Sequence, residues 1–271
     1  RATAIPSTTA AAVIGLDVGG AHLKLAALDA RGQPLALRQI ACPLWQGLDR
    51  LYTALDAALL GLPQAPLVVA TMTGELVDLF SDRCAGVRAI VGALRAQFAP
   101  TPIYLFAGRA GLVDAEAVSG RERAVASANW LATGRLVAEL VEEALVVDCG
   151  STTTDIVPLA CRQLLARGFD DRARLAWGEL VYQGVVRTPL CSLAQRAPFR
   201  GLWHGVMNEW FATTADVYRL LGRLDEAMDL HPAADGGPKT VEASARRLAR
   251  MIGCDFEDGS VDDWRRLAAF F

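Results

Sequence analysis

Residues 146–159 read VVDCGSTTTDIVPL. The apolar run Leu145, Val146 and Val147 carries Asp148 into a glycine and four consecutive hydroxyl residues, Ser151 to Thr154. A second aspartate, Asp155, follows, and apolar residues resume at Ile156 and Val157. The pattern predicts a buried strand, a tight turn and a return strand. A plain hairpin turn is satisfied by Asn-Gly or Gly-X, and buried carboxylates are costly unless partnered. The stretch therefore predicts a turn that holds something through its oxygen atoms and amides. Its hydroxyls suit phosphoryl oxygens, and its carboxylates suit Mg²⁺, which takes octahedral oxygen ligands and keeps several waters.

A similar unit opens the chain. VIGLDV reads as a strand, GGAH as a turn and LKLAAL as the return strand. Placing Asp17 on Asp148 puts Gly19 on Gly150, Gly20 on Ser151 and Lys24 on Asp155, a separation of 131 residues. Two strand–Asp-x-Gly–turn–strand units imply an internal duplication, and two copies do not make a solenoid. They predict two pseudo-equivalent lobes facing one cleft. In the first unit Gly19 and Gly20 let an anion approach the backbone amides. Lys24 can reach a phosphate oxygen, and Asp17 can bind Mg²⁺ directly or through water. Alone, this turn also reads as an ordinary Gly-Gly hairpin.

Composition narrows the class. The chain has 271 residues, 52% hydrophobic and 21% charged, enough for one large or two smaller cores. A net charge of −3 gives no basic field for nucleic acid or an anionic membrane. Six cysteines without CxxC spacing argue against a disulfide framework or zinc site and for reduced thiols in the cytoplasm. No apolar run approaches the roughly 18–20 residues of a membrane span. Residues 1–12 read as a disordered lead-in without a signal peptide's apolar core.

Along the chain, helices are expected over Gly47–Leu60, Glu75–Phe80, Ala85–Phe98 and 121–142. Buried strands are expected at LVVAT (67–71) and IYLFAG (103–108), with a further strand at Pro34–Ala41. After about residue 190 the pattern turns helical, over Leu202–Phe211, Ala215–Leu221 and Val241–Ile252. The predicted class is α/β, with a first lobe over 13–125, a second over 126–271 carrying a helical end, and helix 121–142 joining them.

The two turns resemble the phosphate-binding hairpins of the actin, hexokinase and heat-shock-chaperone superfamily, which is built from two RNase H-like lobes. The threonine run and TMTGEL at 71–76 resemble its hydantoinase/oxoprolinase branch. NWLATG (129–134), GELVYQGVVRTPL (178–190), NEWFATTADVYRLLG (208–222) and DGGPKTVEASARRLARMIG (235–253) resemble a smaller family tied to tetrahydromethanopterin and methanofuran one-carbon pathways. The resemblance spans roughly residues 13–255. It implies a transferase that condenses an aminomethylfuran-methyl diphosphate with γ-glutamyltyramine, forming an aryl ether and releasing diphosphate. Cys149, where a small aliphatic residue is expected, and Gly74, where alanine is common, depart from the pattern without removing a charge or hydroxyl.

For that reaction the departing diphosphate must be neutralised. Gly19, Gly20, Lys24, Gly150, Ser151, Thr152, Thr153 and Thr154 are the candidate phosphate ligands, with Mg²⁺ on Asp17, Asp148 and Asp155. Glu75, Asp78 and Glu179 are candidates for activating the phenol or holding the substrate ammonium, their roles interchangeable at this level. Arg187 either closes over an anion or makes a strand-end ion pair. Thr213 and Thr214 either face substrate or cap the following helix. His22 sits in the first turn, while His204 and His231 read as surface or packed histidines. Trp130, Trp203 and Trp210 read as core, and Cys149 as a buried inert thiol. Only about 115 residues follow Asp155, and Asp235-Gly236-Gly237 carries the only late Gly-Gly, which favours a diphosphate substrate over ATP. The alternatives are an ATP-dependent small-molecule kinase or hydrolase of the same fold, and a non-catalytic scaffold.

Overall fold

A computed structural model describes residues 10–271 and divides into two compact units. The first comprises residues up to Glu142 together with Cys161–Leu164, and the second Glu143–Ala160 and Leu165–Phe271. Most of the expected disordered lead-in, residues 1–9, lies outside the described residues. Ala11 is buried and the Ala12 amide donates to the Leu28 carbonyl at 2.8 Å, so residues 11 and 12 belong to the packed fold.

The first unit is built on a six-stranded sheet. Its strands are β1 (Val13–Val18), β2 (His22–Leu28), β3 (Pro34–Ala41), β4 (Val68–Met72), β5 (Ile103–Phe106) and β6 (Leu112–Asp114). They lie in the order β3-β2-β1-β4-β5-β6. β1, β4 and β5 run parallel, while β2 and β3 form an antiparallel meander on β1 and β6 turns back on β5. Three antiparallel strands followed by parallel strands reached through helices is the RNase H-like arrangement.

Alternation decides which face is covered: Ile14, Leu16 and Val18 point into the core with Val68, Ala70 and Met72. α1 (Asp49–Leu59) meets them with Leu51, Leu55 and Ala58 at helical spacing. α2 (Arg83–Phe98) contributes Val87, Ile90, Val91 and Leu94. It starts where the Asp82 carboxylate accepts from the Ala85 amide at 2.8 Å.

The long helix expected over 121–142 is two pieces, α3 (Glu122–Val125) and α4 (Asn129–Leu140). They part at Ser127, whose backbone is left-handed at φ 50°. The unit boundary accordingly falls after α4, at Glu142/Glu143, rather than at 125/126. Glu75–Phe80 forms only a single 3₁₀ turn, Gly74–Leu76.

In the second unit, β7 (Ala144–Cys149) and β8 (Thr154–Ala160) form the quoted hairpin. After β9 (Gln163–Leu164), which is grouped with the first unit, come α5 (Asp171–Trp177) and β10 (Leu180–Val181), and β10 pairs with β8 on the side away from β7. Here the repeat is abbreviated: among the described residues no strand runs parallel on β7 as β4 does on β1. β7 is therefore an exposed edge and not the buried strand its apolar residues suggest, and Cys149 is exposed with it.

The core of this unit lies in its helical end, as expected in kind. Leu202–Phe211, expected as helix, opens instead with β12 (Leu202–Gly205), the return strand of a hairpin begun by β11 (Arg196–Phe199). Its two-residue turn, Arg200-Gly201, has both φ positive at 48° and 84°, the turn that matches strand twist. α6 (Thr214–Leu220), α7 (Val241–Arg250) and α8 (Val261–Phe270) pack around Trp264, which stacks on Phe199 at 4.5 Å between ring centres. Trp130 is core as expected, while Trp203 and Trp210 are exposed, the former on the β12 hairpin.

Candidate active site

The two hairpins carry the same geometry in separate units. In the first, antiparallel register sets Asp17 opposite Lys24, and in the second it sets Asp148 opposite Asp155. The turn amide closes alike in each: Gly19 donates to the His22 carbonyl at 2.9 Å and Gly150 to the Thr153 carbonyl at 2.8 Å. The duplication read from the sequence is thus a duplication of hydrogen bonding.

In the first unit, Asp17 ends β1 and its outer oxygen takes the Lys24 ammonium at 3.2 Å. Lys24 is half-exposed, so it can turn to an anion above the Gly19-Gly20 amides. A side chain at Gly19 would meet the His22 carbonyl at 2.9 Å, and one at Gly20 would meet Val77 at 2.9 Å. The turn is therefore closed from below by its own backbone and by the segment after β4. That segment is TMTGEL: the Thr73 amide donates to the Val18 carbonyl at 3.0 Å, and the site of a Cβ at Gly74 is 3.2 Å from the Gly19 carbonyl.

Glu75 follows on the same turn but is committed to the interior. It is 1% exposed and accepts from the Ser127 hydroxyl at 2.8 Å, while Arg83 donates to that hydroxyl at 3.3 Å. The break between α3 and α4 presents Ser127 to it. α2 packs on this turn so closely that a Cβ at Gly86 would lie 2.6 Å from the Glu75 carbonyl. Asp78, by contrast, is exposed. His22 is buried at the start of β2.

In the second unit, the Asp148 carboxylate is exposed at the end of β7 and Asp155 is partly buried. Arg174, 1% exposed on α5, donates to Asp155 at 2.7 Å and to the Glu179 carbonyl at 2.8 Å. Burial pushes the Asp155 carboxyl above its ordinary value, against the opposing pull of Arg174 and with a small push from Asp148. Asp155 is thus held by a buried guanidinium, which leaves Asp148 as the open carboxylate of the pair. Glu179 accepts from the Arg167 amide at 2.6 Å and the Gly168 amide at 2.9 Å, so each of its oxygens fixes the loop before α5. Nothing in the sequence singled out Arg174; an arginine in a short Ala-Leu-rich helix was its only mark.

The hydroxyls divide in the same way. The Thr154 hydroxyl donates to the Gln183 carbonyl at 2.8 Å, a structural bond. The Ser151 and Thr152 hydroxyls lie 3.4 Å apart, and the Arg187 guanidinium reaches Thr152 at 3.4 Å. Burial lowers the Arg187 pKa, although it remains a cation at neutral pH. Ser151, Thr152 and Arg187 therefore stand together as one polar group on this turn.

Residues 183–188 hold this turn in place. The Val185 amide donates to Gly150, and those of Val186 and Arg187 donate to Ser151, at 2.9–3.2 Å. Gly184 presses so close that a Cβ there would lie 2.5 Å from Ser151 and Thr152 backbone atoms. Thr214 donates to the Gly184 carbonyl at 2.8 Å. Thr213 caps α6 in a capping box with Asp216. Both threonines are thus framework for the turn, with Thr213 as the cap.

Behind them, Asp216 accepts from Arg247 at 2.7 Å and Ser244 at 2.7 Å. Arg219 pairs with Asp229, and Arg247 also holds Asp235 of the DGGP loop at 3.0 Å. This buried ionic network escaped sequence reading, because charged residues on amphipathic helices read as solvated faces.

Residues 67–264 match the hydantoinase/oxoprolinase family. A (4-{4-[2-(γ-L-glutamylamino)ethyl]phenoxymethyl}furan-2-yl)methanamine synthase of Methanocaldococcus jannaschii is 32% identical over 246 residues, covering 90% of this chain and 72% of that protein. The protein of the same name from Methanococcus vannielii is 34% identical over 119 residues, covering 44% of this chain and 53% of that one. A nucleotide-free acetone carboxylase structure aligns with a TM-score of 0.49 at 10% identity, over 92% of this chain and 60% of that one. No helix among the described residues is long and apolar enough to cross a membrane. The chain belongs to the hydantoinase/oxoprolinase family.

Proposed function

We propose that this protein is a transferase of methanofuran biosynthesis that joins the phenol of γ-glutamyltyramine to an aminomethylfuran-methyl diphosphate. The C–O bond to diphosphate breaks, the phenolic oxygen bonds to the furfuryl carbon, and the phenol proton leaves to a base. The similarity to the Methanocaldococcus jannaschii synthase supports the substrates. The observation that carries the chemistry is the second hairpin, where Arg187, Thr152 and Ser151 converge beside the open Asp148 carboxylate.

A leaving diphosphate gains charge as its bond breaks, and fixed donors aimed at it lower the barrier without reorganising. Each hairpin by itself offers such donors: Gly19, Gly20 and Lys24 give amides and an ammonium in the first unit, and Gly150, Ser151, Thr152, Thr153 and Arg187 give amides, hydroxyls and a guanidinium in the second. Mg²⁺, when bound, would neutralise diphosphate oxygens as a Lewis acid. Within the second unit Asp148 would hold it, because Asp155 is already paired with Arg174. Of the three carboxylates proposed for the acceptor, Asp78 is exposed, whereas Glu75 and Glu179 are engaged locally. Asp78 is therefore the one we assign to the substrate ammonium.

The test mixes purified protein, both substrates and Mg²⁺ and follows diphosphate release. Turnover that falls at least about 100-fold in Asp148→Ala and in Arg187→Met is expected, the size of loss typical of removing one charge-stabilising group. Absence of turnover, with ATP or ADP binding seen by calorimetry, would favour a kinase or hydrolase instead.

A further inference from the structure

Lys24, Asp17 and Thr71 form one row across β2, β1 and β4, because register sets Asp17 opposite Lys24 on one side and opposite Thr71 on the other. All three lie on the face opposite the Ile14–Leu16–Val18 core face. The row crosses the carboxyl ends of the parallel strands β1 and β4, where open α/β sheets place ligands. Lys24 holds only the outer oxygen of Asp17. The inner oxygen, Oδ1, is buried without a hydrogen-bond partner, and so is the Thr71 hydroxyl. Two such atoms side by side are unusual, since a buried polar group left unpaired is costly and native folds rarely keep one without a bound species to satisfy it.

We infer that Thr71 is a ligand-binding residue, its hydroxyl and Asp17 Oδ1 together accepting the waters of a hydrated divalent cation that accompanies diphosphate. The inference rests on the diphosphate reading of the Asp17 hairpin. Both atoms are acceptors for a metal-bound water's protons, and the Thr71 hydroxyl can in turn donate its own proton to a phosphate oxygen. A hydroxyl and a single carboxylate suit Mg²⁺ or Mn²⁺, which keep several waters. Thr71 lies within TMTGEL, whose Thr73 and Gly74 brace the same hairpin. Sequence reading used that segment only as a resemblance.

The experiment compares Thr71→Val, Thr71→Ala and Thr71→Ser in the intact protein, using Mn²⁺ with inorganic diphosphate as probe. Binding is read by calorimetry and by Mn²⁺ paramagnetic relaxation of water, and stability by thermal unfolding without metal. Thr71→Val and Thr71→Ala are expected to lose about 10-fold in Mn²⁺–diphosphate affinity, the scale of one charge-assisted hydrogen bond. Thr71→Ser is expected to stay within about 3-fold of wild type, since it keeps the hydroxyl. The metal-free Thr71→Val protein is expected to unfold at or above the wild-type temperature, because its hydroxyl has no partner to lose.

Wild-type affinity in Thr71→Val and Thr71→Ala would overturn the inference. So would a lowered unfolding temperature in both, or failure of both to fold, since either makes the hydroxyl structural. Absence of diphosphate release from the wild-type protein, with these binding results obtained, would instead count against the transferase reading alone.

Discussion

Asp155 shows how a residue can keep a predicted place and lose a predicted role. The alignment of Asp17 with Asp148 and of Lys24 with Asp155 put it opposite Asp148, and the register agrees. Its ligand is Arg174, from a helix the sequence reading did not anticipate. Removing one member of such a buried pair leaves an uncompensated charge, so Asp155→Ala should cost about 3 kcal/mol in denaturant unfolding. Leaving stability unchanged would show the pair to be dispensable.

Because burial raises the folded-state pKa of Asp155 above its unfolded value, the native state holds that proton more tightly. Ionising Asp155 therefore withdraws stability as pH rises from the unfolded value through the folded one. An NMR titration should find its midpoint above the ordinary carboxylate value, and higher still in Arg174→Met, which removes the opposing pull. A midpoint at or below the ordinary value would contradict this account of the site's electrostatics.

At the level of elements, period and punctuation were legible and irregular backbone was not. The β1–β2 and β7–β8 hairpins, α1, α2, α6 and α7 appear within a few residues of their expected spans. The helix expected over 121–142 fails at Ser127, where a bond to distant Glu75 outweighs local propensity. The helix expected at Leu202–Phe211 fails because Arg200-Gly201 makes a turn that the apolar spacing around Trp203 disguised.

The segment 183–188 carried no motif for bracing, yet its glycine packs directly against the turn at Gly150–Thr152. Gly184→Ala would force a methyl group against Ser151 and Thr152 backbone. It should cost about 1–3 kcal/mol, as overpacking does, and reduce diphosphate binding along with stability. Wild-type stability, measured by urea unfolding, would mean the brace yields freely.

For the whole molecule, the duplication is complete in hydrogen bonding at the hairpins and incomplete beyond them. Ile156 donates towards β10, so Asp155 faces β7, and in the matching register Leu145 and Val147 turn their main chain outward. Their counterparts on β1 face β4, where Val18 accepts from Thr73. Leu145 and Val147 are 64% and 52% exposed, so both backbone and side chain are open along this edge. Hydrogen exchange should therefore be about 100-fold or more faster at Leu145 and Val147 than at Ile14 and Leu16. Equal protection would show that a strand covers the edge in solution.

The stretch VVDCGSTTTDIVPL made its hairpin legible, while Arg174, which pairs with Asp155, comes from a segment whose spacing gave no such signal. The central claim is that the hairpins serve a leaving diphosphate. The most direct measurement is diphosphate release from aminomethylfuran-methyl diphosphate and γ-glutamyltyramine with Mg²⁺. Stoichiometric release with aryl-ether formation, abolished in Asp148→Ala, is the predicted result; no release from the folded wild-type protein would contradict it.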